Sequence, residues 1–255
     1  MAMEDINSFA YNGRRSAEER QNVSGNIKPF KKVTFNASAN DDYCTSEAFK
    51  TLRTNLIFCG SNIKTVVITS TTENEGKSTI AAKLARSMAE IGKRTLLIDA
   101  DMRKSEMLRR NMRSSEIVGL SDVLSGVCEY TDAVYSTQDP NFDVVFSGRF
   151  PPMPVELLSG DRLPQMLSAF KAEYDYIIID APPVGMVIDA AVIAALCDGA
   201  IFVVANKDTS RKAAIEAKQQ LEKSGVKVLG AVLNEAQRKV KHYGSKYYKY
   251  KKYYK

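Results

Sequence analysis

The chain has 255 residues, 44% of them hydrophobic, which suits one large domain of roughly 190 to 200 residues with tails, or at most two small ones; one is favoured. Its formal charge of +6 belongs to its end: residues 236–255 carry seven lysines and Arg238 without an acid, so residues 1–235 come to −2, and no nucleic-acid-binding domain is indicated. The single histidine, His242, also lies in that tail, which removes Ser-His-Asp, Cys-His and multi-histidine metal chemistry from the folded part.

Residues 1 to 42 are polar and aperiodic and are expected to form a flexible arm. From Ser46 to Phe58, Phe49, Leu52, Leu56 and Ile57 recur at helical spacing behind a Thr45 or Ser46 cap, which predicts an amphipathic helix. Thr65–Ser70 is a β-branched run typical of a buried strand, and the helix expected from Lys77 to Ile91 stops at Gly92. Buried strands are expected again at 95–99, 142–146, 176–180, 200–204 and 226–233, with helices at 161–173, 188–196 and 210–224. Unbroken apolar strands alternating with helices predict an α/β, doubly wound, mostly parallel sheet, with ligands at the carboxyl ends of the strands. Residues 43–235 form this domain, and 236–255 a disordered Lys/Tyr-rich tail. The four cysteines, Cys44, Cys59, Cys128 and Cys197, have no metal-ligand spacing and read as free thiols of a cytosolic protein. No apolar run of about 18 residues is long enough to span a membrane.

Chemistry is concentrated at three strand ends. The first strand runs into Ser70-Thr71-Thr72-Glu73-Asn74-Glu75-Gly76-Lys77-Ser78-Thr79, a phosphate-binding loop in a strand-loop-helix setting. The backbone N–H groups from Asn74 to Thr79 and the helix N-terminus face phosphates, Lys77 reaches the outer ones and Ser78 offers a hydroxyl to Mg²⁺. Thr71 stands where a glycine is usual and Asn74 where a second often appears, but asparagine tolerates the left-handed conformation. The second strand end carries Asp99 and Asp101; a spacing of two turns both to one side of an extended chain. The third is Ile177-Ile178-Ile179-Asp180-Ala181-Pro182-Pro183, an apolar strand ending in a carboxylate. Lys77, Ser78 and these aspartates supply what phosphoryl transfer needs: charge neutralisation, a held metal and a carboxylate near the nucleophile. Six of the twelve tyrosines, Tyr243, Tyr247, Tyr248, Tyr250, Tyr253 and Tyr254, fall in the last thirteen residues among lysines, a cluster of acceptor hydroxyls.

These residues resemble the bacterial tyrosine kinases that regulate capsular and exopolysaccharide synthesis and export. The resemblance covers about residues 43 to 255 and rests on the variant loop, Asp99-x-Asp101-x-Arg103, Asp180-Ala181-Pro182-Pro183-Val184, the Gly148–Ser159 stretch and the tyrosine tail. It implies an ATP-dependent protein-tyrosine kinase that phosphorylates its own terminal tyrosines between neighbouring subunits, a homo-oligomer that can close into a ring, and a transmembrane adaptor of the polysaccharide co-polymerase type, or a fused membrane segment, that activates it at the inner face of the membrane. Carried onto this chain, it gives Ser78, Asp101 and Asp180 to Mg²⁺ and the loop to ATP. Asp99 and Asp101 share metal coordination and orientation of the phenol, with Asp99 favoured for the phenol. Asn234 is either an adenine contact or a strand-end turn residue. Glu47, Lys50 and Arg53 match a subunit-contact motif in which lysine replaces the middle arginine and loses its two-pronged pairing; the other reading is a solvated helical face with local ion pairs. Arg103, Lys104, Arg109, Arg110 and Arg113 form a basic run that is either solvated or open to an anionic visitor.

Two rivals stay open. A partitioning-type P-loop ATPase shares the fold, although the extra lysine expected near the start of the loop is replaced by Thr71 and Thr72. A nucleotide-gated scaffold would instead use the basic aromatic tail to grip anionic partners.

Overall fold

A computed structural model describes residues 30–36, 42–111, 117–205 and 209–235, whose strands and helices all belong to one compact unit, Lys31–Lys255. The described strands form one sheet of eight, in the order β1 (Lys31–Lys32), β4 (Val134–Ser136), β5 (Phe142–Val145), β3 (Thr95–Asp99), β6 (Tyr176–Asp180), β2 (Thr65–Ser70), β7 (Gly199–Ala205) and β8 (Val228–Asn234). Every residue of β2, β3 and β6 is buried, as unbroken apolar runs require when helices cover both faces. All neighbouring pairs run parallel except β4 with β5, which pair antiparallel across the connection 137–141.

The helices α1 (Tyr43–Phe58), α2 (Lys77–Glu90), α6 (Arg162–Glu173), α7 (Asp189–Ala194) and α8 (Arg211–Glu222) lie near the expected stretches, and the short helices α3 (Glu106–Asn111), α4 (Leu120–Leu124) and α5 (Pro154–Leu158) were not anticipated. The chain steps from β2 across β6 to β3 in one direction, and from β6 across β2 to β7 in the other. With right-handed crossovers this puts α2 on one face and α7 and α8 on the opposite one. α1 packs on α2, and α7 touches β2 and α8. Adjacent strands β2 and β6 therefore feed opposite faces, which opens a crevice beyond their carboxyl ends.

Three local expectations change. α1 starts at Tyr43 because Asp42, not Thr45 or Ser46, caps it: the Asp42 carboxylate accepts from the Thr45 amide at 2.7 Å. Of its predicted apolar stripe, Leu56 is buried and Phe49 and Leu52 lean on the core, whereas Ile57 is exposed. Within the stretch expected to be an arm, Lys31 and Lys32 pair with β4, and Phe35 is buried edge-on against Phe142 with ring centroids 5.3 Å apart. The Phe35 backbone bonds both ends of the Gln138 amide, at 2.7 and 2.8 Å, so hydrogen bonding and apolar burial together hold this segment. All four cysteines are free.

The amino end of β2 is anchored by one carboxylate. Asp198 Oδ2 accepts from the Lys64 amide at 3.0 Å and from the Thr65 amide and hydroxyl at 2.8 Å each, and its Oδ1 lies 2.9 Å from Lys171 Nζ. Burial alone would raise its pKa, but the bonds from Thr65, Lys171 and Lys64 hold it below the usual range. A lowered folded-state value means that Asp198 stabilises fully above its ordinary pKa of 3.8 and ceases to do so as pH falls through the lower folded value. Asp198→Asn should therefore lower stability at pH 7 by about 1–3 kcal/mol in urea unfolding, and the gap to the unmodified protein should close as pH is lowered through that region. A gap that stays constant with pH would show that the charge of Asp198 is not what anchors the strand.

Candidate active site

The loop Thr71–Gly76 turns back on itself after β2 because Asn74 and Gly76 adopt left-handed backbone angles, φ 62° and 86°. Gly76 is constrained further, since a Cβ there would meet Asn234 Nδ2 at 2.1 Å. That same amide nitrogen donates to the Glu75 carbonyl at 3.0 Å, tying the end of β8 to the loop. Gly76 gives α2 no side-chain cap, so the first amides and the positive end of the helix dipole are left to the crevice.

Lys77 opens α2 and is buried among aspartates from two other strands. Its Nζ lies 3.0 Å from Asp101 Oδ2, 3.7 Å from Asp180 Oδ1 and 3.4 Å from Ser78 Oγ. The register of the sheet makes this grouping: Asp99 is the direct partner of Asp180 across β3 and β6, and Ile68 of β2 is the partner of Asp180 on its other side. Burial alone would lower the Lys77 pKa, but Asp180 and Asp101 together raise it, so the ammonium stays charged. Burial pushes Asp180 up, opposed by Lys77 and a hydrogen bond from Ser78. Asp99 is pushed up to about 7 by burial and by facing Asp180, against the donating Ser105 hydroxyl and Lys77.

The two aspartates of the Asp99-x-Asp101 element are not equivalent. Asp99 is fully enclosed, with Oδ2 held by Ser105 and Oδ1 accepting from the Asp101 amide at 3.2 Å. Asp101 lines a cleft of about 400 Å³; its Oδ1 accepts from the Arg103 and Lys104 amides at 3.3 and 3.0 Å while Oδ2 faces Lys77. Both carboxylates act on the Lys77 charge, but Asp101 is the one that lines the cleft, while Asp99, expected to face an incoming phenol, lies enclosed beside it.

The oxygen set around Lys77 suits a hard divalent cation. Asp180 Oδ1 is buried with no hydrogen-bond partner, and with all three aspartates ionised the single lysine leaves the cluster at −2. Among the described residues no three His, Cys, Asp or Glu side chains form a metal cage of their own. Mg²⁺ characteristically binds through one or two carboxylates plus phosphate oxygens and water, and Ser78, Asp101 and Asp180 fit that pattern.

Arg103, Lys104, Arg109 and Arg110 line the cleft, while Arg113 lies outside the described residues. Much of their charge is matched: Lys104 pairs with Glu73 at 2.6 Å, and Arg109 and Arg110 both reach Glu106. Arg103 forms a two-pronged pair with the fully buried Asp189, at 2.8 and 2.9 Å. Asp189 carries no signal in the sequence because it acts through Arg103, 86 positions away, and Ser105, only six positions from Asp99, because a lone serine after a strand belongs to no motif. On α1, Lys50 pairs with Glu47 at 2.8 Å on the exposed face, whereas Arg53 donates to the Ser87 carbonyl on α2 at 2.9 Å. The six tail tyrosines, Tyr243 to Tyr254, lie outside the described residues.

Residues 63–227 match the family model described as an AAA domain. A tyrosine-protein kinase CpsD of Streptococcus agalactiae is 44% identical over 200 residues, covering 78% of this chain and 87% of that protein. The tyrosine-protein kinase YwqD of Bacillus subtilis is 38% identical over 191 residues, covering 74% and 80%. Among solved structures, the kinase domain of the Escherichia coli tyrosine kinase ETK superposes with a TM-score of 0.73 at 32% identity, covering 82% of each chain. The Pyrococcus horikoshii septum site-determining protein MinD, solved with Mg-ADP, is more distant at a TM-score of 0.59 and 27% identity, covering 69% of this chain and 72% of its own. With an AAA domain over most of its folded length and close relatives among these kinases, the chain belongs to the bacterial tyrosine-protein kinase family.

Proposed function

We propose that this kinase uses ATP to phosphorylate the terminal tyrosines of a neighbouring copy, and that the reaction regulates synthesis and export of a surface polysaccharide. The observation that carries the catalytic reading is the Lys77 ammonium held between Asp101 and Asp180 at the uncapped start of α2. The backbone amides of Asn74, Glu75, Gly76, Lys77, Ser78 and Thr79 bind the phosphates, and Lys77 draws charge from the outer ones. Ser78, Asp101 and Asp180 would hold Mg²⁺, which when bound would supply neutralisation of the phosphate charge. Asn234, fixed by the Glu75 carbonyl, keeps its amide oxygen for the base.

Asp101 stands on the cleft wall and orients the acceptor phenol, with Asp99 behind it holding the Asp101 amide and thereby the turn. A carboxylate is a weak base for a phenol of pKa near 10, but a loose transition state needs little proton removal until late, so position outweighs basicity. The exposed Glu47–Lys50 face of α1 is the surface through which subunits join, and Arg53 supports it by fastening α1 to α2. Among the described residues no helix is long and apolar enough to cross a membrane. The activating partner in this reading is a transmembrane adaptor of the polysaccharide co-polymerase type. Structural likeness to MinD keeps the ATPase alternative in view, and labelled ATP separates the two: label on tyrosine supports the kinase, free phosphate alone the ATPase.

Lys77→Met should abolish tail phosphorylation, and Asp101→Ala and Asp180→Ala should each slow it by about 10²-fold or more, read by single-turnover transfer from labelled ATP. Near-full activity in any two of the three would overturn the site. Transfer between subunits predicts that specific rate rises with protein concentration and that active protein labels the Lys77→Met tail; a concentration-independent rate would point to transfer within one chain.

The tail from residue 236 starts at formal +8, and each phosphotyrosine adds about −1.5 to −2, so six reverse its sign. Phosphorylated tails should then leave a neighbour's site through repulsion from its carboxylates and the nucleotide phosphates. Light scattering should find the Lys77→Met protein with Mg-ATP in larger assemblies than phosphorylated protein. Equal size distributions would rule out this electrostatic release.

A further inference from the structure

Glu75 belongs to the phosphate-binding loop, where backbone is expected to do the binding, yet its side chain is 2% exposed and turned into the fold. Its Oε2 accepts from the Thr72 amide at 2.7 Å, closing the loop on itself. Its Oε1 accepts from the Ala205 amide at 3.0 Å and from the Thr209 hydroxyl, on the connection between β7 and α8. Its carbonyl accepts from Asn234 at the end of β8. One residue thus touches the loop, the end of β7, the residue before the α8 cap and the end of β8. Three donors from three segments converge on the two carboxylate oxygens, which accounts for the burial of this side chain.

Resting on the nucleotide-binding reading above, we propose that Glu75 is a positioning residue that sets the separation between the phosphate loop and the β7 and β8 ends, and that it thereby determines affinity for the whole nucleotide. The loop amides can meet the phosphates, and Asn234 the base, only if their separation matches the nucleotide. The Glu75 carbonyl holds Asn234 directly, and its carboxylate holds the loop against β7, the strand adjacent to β8. Gly76 makes this fit tight, because Asn234 Nδ2 occupies the space where any Cβ would lie. Lys77, Asp101 and Asp180 are bonded to one another rather than to Glu75. Loosening the brace should therefore weaken nucleotide binding more than it slows phosphoryl transfer.

The test measures nucleotide binding by fluorescent MgADP titration and KM and kcat for MgATP in Glu75→Gln, Thr209→Val and Thr209→Ser, with thermal melting of each. Glutamine must turn a donor toward one of the three donors, and valine removes the hydroxyl at nearly constant shape. Losing one charge-assisted hydrogen bond should raise KM and the MgADP dissociation constant by about tenfold in Glu75→Gln and several-fold in Thr209→Val, against a change in kcat of less than about twofold. Thr209→Ser, which keeps the hydroxyl, should restore tight binding. Combining Glu75→Gln with Thr209→Val should cost less than the product of the two, since both break the same contact. Wild-type KM in Thr209→Val, or equal losses in Thr209→Val and Thr209→Ser, would overturn the proposal, as would a fall in kcat at unchanged KM. Should Glu75→Gln fail to fold, the Thr209 pair decides alone. Failure of the unmodified protein to bind MgADP would instead overturn the nucleotide reading itself, so the two failures are distinguishable.

Discussion

Burying Lys77 with three aspartates is the constraint on which the rest of this architecture depends. Each ion taken from water costs several kcal/mol after relaxation, and mutual attraction offsets that only when geometry is close. Here the geometry comes from backbone register rather than from flexible side chains: β3 and β6 align Asp99 with Asp180, and β2 on the other side of β6 delivers the loop that starts α2. The balance is still unfinished. A carboxylate oxygen of Asp180 without a hydrogen-bond partner, and an Asp99 pushed up to a pKa of about 7 by burial and then by facing Asp180, mark a buried site whose negative charge its own lysine does not fully match. A bound divalent cation would offset that charge.

Around this centre, the fold devotes much of its polar chemistry to holding loops in place. Asp101 caps the turn after β3 by accepting from two amides, Thr69 Oγ1 donates to the Pro182 carbonyl at 2.7 Å after β6, and Glu75 fixes the loop after β2. Arg103 and Asp189 then join the β3 turn to the start of α7. Each bond spans two of the strand ends that open on the crevice or closes one of its loops. Phosphoryl transfer relies on preorganised charge more than on covalent participation by the protein, so rigid loops are what such a site requires.

α1 combines two jobs that the sequence presents as one motif. Arg53 is used inside the molecule, on the Ser87 carbonyl, and Glu47 and Lys50 remain outside as a local pair. An isolated exposed pair of this kind contributes little to stability, so breaking it for another partner would cost little. An ammonium lacks the planar fork that holds a carboxylate in two places, so such a contact would be less rigid than one made by arginine.

Periodic and local features were legible in the amino-acid sequence itself. The strands at 65–70, 95–99 and 176–180 followed from apolar runs, the left-handed Asn74 from the tolerance of asparagine, and the grouping of Lys77, Ser78 and Asp180 from motifs at strand ends. Features that depend on residues distant in sequence were not legible. The short strand β4 runs antiparallel to β5, Phe35 joins the core through Gln138, and Asp189 and Thr209 meet Arg103 and Glu75 across 86 and 134 positions. Nor could spacing separate Asp99 from Asp101, because that depends on where the strand stops. Sequence alone determined the class of fold and which residue types assemble at its carboxyl edge, since burial on two faces and phosphate-binding loops impose local patterns. Only the tertiary structure decided which aspartate faces the cleft and which is enclosed, because side-chain direction at a strand end is set by hydrogen bonds to residues the local pattern does not contain.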